Sequence, residues 1–189
     1  MKVSPAARKL VFAVVLVVSG VLLPVISPLK ILLEPASFTF GVHVPIFLAL
    51  FVSPVIAVAV VIGTTLGFAL GGFPSVIVIR AASHMLFAVV GALYIRYRPR
   101  TLSSFFRALL FACAIGAIHA SLEVTVVEFF YMSGDTAGTF YTTESAIEFV
   151  GLGGFVHNMV DFALAFAAMK LLKLWKAARG LFPEASAAE

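Results

Sequence analysis

Long apolar runs interrupted by proline, glycine and serine set the plan of this chain. Six runs carry the hydrophobic density of helices, at about 9–27, 42–52, 54–71, 74–97, 103–131 and 146–176. The punctuation between them is specific. Pro24 and Pro28 close the first run. Ser53 and Pro54 in "VSPV" offer an N-cap and a first-turn proline to the third. Gly71-Gly72 ends the third, and Pro74 opens the fourth. Two stretches read as loops: "SPLKILLEPASFTFG" after the first helix and the Gly/Thr-rich "MSGDTAGTFYTTES" before the last. The tail 181–189 is predicted to be disordered, and no internal repeat divides the chain, so residues 1–189 form one domain.

Composition places these helices in a membrane. The sequence is 62% hydrophobic and only 12% charged, with a mean hydropathy of +1.12; soluble domains carry about 25% charged residues. The prediction is an all-α integral membrane protein, a bundle of six transmembrane helices. Leu10 to Leu29 is uncharged, too long for the core of a signal peptide, and no A-x-A site follows, so it reads as a retained first span. The lone Cys113 excludes a disulfide framework and a thiolate metal site.

The charge pattern then gives an orientation. Lys2, Arg8 and Lys9 precede the first helix, Arg96, Arg98, Arg100 and Arg107 flank the loop between the fourth and fifth, and Lys170, Lys173, Lys176 and Arg179 close the sixth. With six spans, all these basic groups fall on one side, while Lys30 and the acidic Asp135, Glu144 and Glu148 fall on the other. The positive-inside rule puts both termini in the cytoplasm. The net charge of +4 reflects this topology, and no nucleic-acid partner is implied.

Against that apolar background a few polar residues stand out within the spans. In "FPSVIVIRAASHMLFAVVGALYI" Arg80 and His84 are four apart; His119 and Glu123 are four apart on the fifth helix; His157 and Asp161, with Asn158 beside them, are four apart on the sixth. Such spacing lines one face of each helix. A cation in hydrocarbon costs at least ~2.5 kcal/mol, so Arg80 needs a reason to be there. At 1.5 Å per residue these groups lie at similar depths, ~9–15 Å below the outer end of their helices, with His119 and Asp161 deepest. Two readings follow: Arg80 pairs with Glu123 or Asp161 to hold helices together, or the three faces line a ligand pocket open to the outside. His119 and Asp161 are the candidates for purely structural roles. Three histidines on three helices suit a metal or haem, but the company of Arg80 and Asn158 argues for hydrogen bonding, so neither metal nor cofactor is predicted. No Walker motif occurs, and no nucleophile-elbow pattern surrounds Ser83-His84.

The segments "HVPIFLALFVSP" (43–54) and "GTTLGFALGGFPSVIVIRAASHMLFAVVGALY" (63–94) resemble the substrate-binding S components of energy-coupling factor (ECF) vitamin transporters, most closely the pantothenate type and less closely the niacin type. The resemblance implies a non-enzymatic subunit of the bacterial cytoplasmic membrane that captures a vitamin outside. It also implies partners, a transmembrane T component and two ATPase subunits. The substrate-binding set would be Arg80, His84, Glu123, Asn158, His157 and His43, with Arg80 forking onto a carboxylate. Members of the family dock through small residues on helix one, commonly Ala-x-x-x-Ala. Here Val17 departs from that pattern, but Ala6, Ala13 and Gly20 share a face that would serve docking or, equally, packing within the chain. The two outer loops, 27–38 and 133–143, are expected to close over the vitamin. A membrane enzyme or cofactor protein using the histidines, and a structural subunit held by polar helix contacts, are the readings from other classes.

Overall fold

The computed structural model describes residues 4–33, 36–134, 142–175, 178 and 180–182. Seven α-helices are present among them: α1 (Pro5–Ile26), α2 (Val44–Val52), α3 (Pro54–Leu70), α4 (Ser75–Tyr97), α5 (Phe105–Met132), α6 (Thr143–Ser145) and α7 (Gly154–Leu174). The predicted sixth helix is α7 extended upstream by α6 and a π-helical segment, Ala146–Gly153. Local chemistry sets the boundaries. The Ser4 hydroxyl accepts from Ala7 N at 3.1 Å with Pro5 following, and Ser53 accepts from Ile56 N with Pro54 following. Gly72 turns the chain at φ 73°, left-handed backbone that glycine adopts without a Cβ clash.

Two expectations are corrected here. The stretch after α1 is not a plain loop: it folds into an antiparallel hairpin, β1 (Lys30–Leu33) and β2 (Ala36–Thr39), in register Lys30↔Thr39 to Leu33↔Ala36, so the fold is not strictly all-α. Four residues per strand are too few to show an alternating pattern in sequence. Phe38 and Ala36 of the hairpin are buried with Val127, Ala146 and Val150, so the hairpin packs over α5 and the π segment. The tail predicted to be disordered is packed at its first two residues. Leu181 and Phe182 are buried, and the Phe182 ring meets Phe12 of α1 edge-on at 5.9 Å; two large apolar side chains gain more by leaving water than by staying mobile. Residues 183–189 lie outside the described residues, as does 135–141 of the second outer loop.

The helix directions follow from contacts. A Cβ on Gly63 would meet Val17, and one on Gly20 would lie 2.5 Å from Thr64 Cγ2. Positions along α1 and α3 therefore rise together: the two helices run parallel, at a separation only glycines permit. Between them the chain returns through the hairpin and α2. At nine residues, ~14 Å, α2 is less than half the thickness of a bilayer core. Its residues Pro45 to Val52 are all buried, the signature of a helix enclosed by protein. Four helical stretches are long and apolar enough to cross a membrane: Pro5–Ile26, Ser75–Tyr97, Phe105–Met132 and Thr143–Leu174, with α3 a shorter apolar fifth. Exposed leucines, valines and phenylalanines cover their outer faces. This is a multi-pass membrane protein.

The contacts also revise the expected docking face. Ala13 and Gly20 are buried within the chain, Gly20 against Thr64 and Pro45. Packing inside the bundle occupies these two positions. Ala6, near the N-terminus, is exposed.

Candidate functional site

Each helix delivers its polar face to one point. The i,i+4 spacing brings His119 Nε2 to 3.5 Å from Glu123 Oε1 on α5, and His157 Nε2 to 3.4 Å from Asp161 Oδ2 on α7. Arg80 of α4 crosses to α5 and grips Glu123 with both arms of its fork, Nε to Oε1 at 3.2 Å and Nη2 to Oε2 at 2.9 Å. His84 Nε2 lies 3.2 Å from the same Oε1 and 3.2 Å from His119 Nε2. Of the two partners the sequence left open for Arg80, the structure selects Glu123. Both members of that pair are buried, so neither is free to lose the other cheaply.

Asp161 has a separate task. Its Oδ1 accepts from Gly41 N at 2.7 Å and its Oδ2 from His43 N at 3.0 Å, and His43 Nδ1 lies 3.1 Å from Oδ2. The carboxylate thus sits at the start of α2, receiving backbone N–H groups that the first turn leaves unpaired. An anion there also faces the positive end of the helix dipole. His43 provides no side-chain cap of its own, so α2 is capped from 118 residues away. Sequence reasoning placed Asp161 among structural residues but had no signal for this partner.

Four histidines, two from helices α4 and α5, one from α7 and one from the start of α2, come together. The His43 ring centroid lies 5.0 Å from that of His84, 4.6 Å from His119 and 5.2 Å from His157. Above them is a cavity of about 90 Å³, lined among others by Phe38, His43, Phe68, Arg80, His84, Glu123 and His157. Of the predicted substrate-binding set, only Asn158 is missing from its lining. That side chain is fully buried against Gly116, where a Cβ would lie 3.0 Å from its amide nitrogen, and neither of its amide atoms has a partner. Asn158 is therefore packed beneath the site, away from the cavity. His119 and Asp161 are also fully buried and off the lining.

Phe38 and Phe68 were missed as lining residues. Phe38 reaches the site only because the hairpin folds down over it, seated beside Gly153 of the π segment and 5.3 Å from the His157 ring. Runs of π-helix recur near functional sites, and this one occupies the wall between hairpin and α7. A larger cavity, about 760 Å³, lies between α4 and α5 at the opposite end, beside Arg98, Arg100 and Arg107. Size alone would favour it, but none of the converging polar residues reaches it, and its walls open onto the lipid-facing flank of two helices.

No protein-family model matches the chain, and no solved structure matches it. Among curated proteins, it is 35% identical over 165 residues to the niacin transporter NiaX of Lactococcus lactis subsp. cremoris (strain MG1363), a match that covers 87% of this chain and 74% of that protein. The chain belongs to the family of that niacin transporter.

Proposed function

We propose that this protein is the niacin-capturing S component of an ECF importer. The observation that carries the proposal is the cavity under the hairpin, read beside the niacin transporter to which the chain is related. At about 90 Å³ it is far below the ~300–1,000 Å³ of pockets for drug-sized ligands. A single flat ring bearing a carboxylate suits that space better than the long, branched pantothenate to which the sequence motifs lean. The walls are also right for a ring: Phe38, Phe68 and imidazoles offer flat faces. Arg80 turns two N–H groups to Glu123 and retains others for the carboxylate. His157 Nε2 is buried without a hydrogen bond, and in this reading it serves the pyridine nitrogen.

In this reading the chain crosses the bilayer six times, the hairpin and α2 together making one crossing, and the basic ends face the cytoplasm. The vitamin enters beside the hairpin. Energy for release inward comes from a T component and two ATPase subunits. Equilibrium binding of labelled niacin to the purified protein tests the assignment. Saturable binding that excess unlabelled niacin displaces and pantothenate does not is expected. Displacement by pantothenate at equal concentration would reverse the choice of vitamin.

A further inference from the structure

We propose that the floor of the cavity is a divalent transition-metal site, with His84, His119 and Glu123 as ligands and His43 as the fourth. The geometry of three atoms carries the idea. His84 Nε2, His119 Nε2 and Glu123 Oε1 form a triangle with edges of 3.2, 3.2 and 3.5 Å. In a tetrahedral zinc site, with bonds of about 2.0–2.1 Å, neighbouring donors stand about 3.3–3.4 Å apart. A nitrogen of His43 lies within 4.8 Å of all three. The donor set, three imidazoles and one carboxylate, is of the type that holds zinc, cobalt or nickel.

Protons alone serve this triangle poorly. If one histidine donates to the other, the acceptor's lone pair faces a carboxylate oxygen. If both donate to Glu123 Oε1, that oxygen receives two imidazoles as well as Arg80 Nε, one donor more than it has lone pairs. A cation between the three atoms accepts a lone pair from each.

The surroundings look like the support a metal ligand requires. His43 turns Nδ1 to Asp161 Oδ2, which leaves Nε2 for the metal, and Asp161 is itself fixed by two backbone N–H groups. A carboxylate behind a metal-bound imidazole sets its tautomer and orientation. Glu123 in turn is steered by Arg80, through Nη2 to its other oxygen, Oε2, and through Nε to Oε1, whose second lone pair is left for the metal. Both carboxylates are thus committed, one as ligand and one behind a ligand.

A metal also changes the sign of the cavity. Among the buried formal charges, Arg80 stands against Glu123 and Asp161, a net single negative charge that repels an anion. A divalent ion turns it into a net single positive charge, which one carboxylate neutralises. Metal and vitamin would then bind cooperatively, each raising the affinity for the other by the same factor. This second half rests on the niacin reading; the metal site itself does not.

The test uses the purified full chain after treatment with a chelator. Titration with Co²⁺ should give one equivalent bound, with the intense visible bands of a tetrahedral ion, and Zn²⁺ should displace it. His84→Asn and His119→Asn should each weaken Co²⁺ binding at least about 100-fold, and Asp161→Asn about 10–100-fold, as for loss of an outer partner. Native protein that shows no tetrahedral spectrum with excess Co²⁺ overturns the site without recourse to variants. Niacin affinity, measured on the same stripped protein with and without Zn²⁺, should rise tenfold or more with metal. Equal affinity in both states overturns the coupling. Metal binding without any niacin binding supports the site and defeats the vitamin assignment instead.

Discussion

Arg80 is a cation buried within an apolar bundle, and its partner explains how it is tolerated. The bidentate contact with Glu123 supplies the paired, hydrogen-bonded surroundings that a buried charge needs. Deleting one member should be severe: Arg80→Ala leaves Glu123 buried alone, a loss of about 3–5 kcal/mol of stability. Arg80→Lys is the more informative change. It keeps the charge and loses the fork, so the protein should fold while niacin affinity falls about tenfold, roughly 1.4 kcal/mol. Thermal melting and titration calorimetry on one sample check both halves. Unchanged affinity in the folded lysine variant would mean that Arg80 only holds α4 to α5.

At the scale of elements, the parallel contact of α1 with α3 depends on missing side chains. Gly20→Leu should lower the thermal midpoint, because the first carbon of the new side chain already lies 2.5 Å from Thr64 Cγ2; overpacking of this kind costs about 1–3 kcal/mol. That contact lies one turn from Pro24 and Phe68, both of which line the cavity, so niacin affinity should fall as well, even in variant protein kept below its midpoint. Unchanged affinity there would mean that the bundle absorbs the added side chain before it reaches the cavity. Most helix ends were legible in the sequence, since Ser53-Pro54, Gly71-Gly72 and Pro74 act through local geometry. So were the polar faces, because four-residue spacing is a property of the helix itself. The hairpin was not, since its strands are short and its reason for existing is Phe38 packing on distant α5 and α7-side residues. Nor was the cap on α2, whose donor and acceptor are far apart along the chain. The π segment was hidden too, as "AIEFVGLG" reads equally well as ordinary helix.

For the whole molecule, the alternation of long helices with the hairpin–α2 return predicts a two-sided distribution of charge. A cysteine placed at Lys30 should react with an impermeant thiol reagent in intact cells, and one placed at Arg98 should react only after the membrane is opened. The reverse pattern would invert the orientation drawn from the basic residues. The one native cysteine, Cys113, is half-buried within α5, and a Cys113→Ala background removes its signal.

The short α2 has an electrical consequence. Its first turn is buried in the protein, where Asp161 holds it, so in the proposed six-crossing topology the cluster beside it lies within the low-dielectric layer. On the proposed function, niacin, an anion at neutral pH, must move part of the way across the membrane potential to reach Arg80 from outside. Crossing about a third of a potential that is negative inside requires about 0.8 kcal/mol per 100 mV. Capture should therefore weaken about fourfold when a 100 mV potential, negative inside, is imposed on vesicles holding the protein in its cellular orientation. Radiolabelled niacin binding across a series of potassium gradients with valinomycin would read that dependence. A flat response would place the bound carboxylate at the surface, outside the field, and would contradict the depth the half-length helix sets.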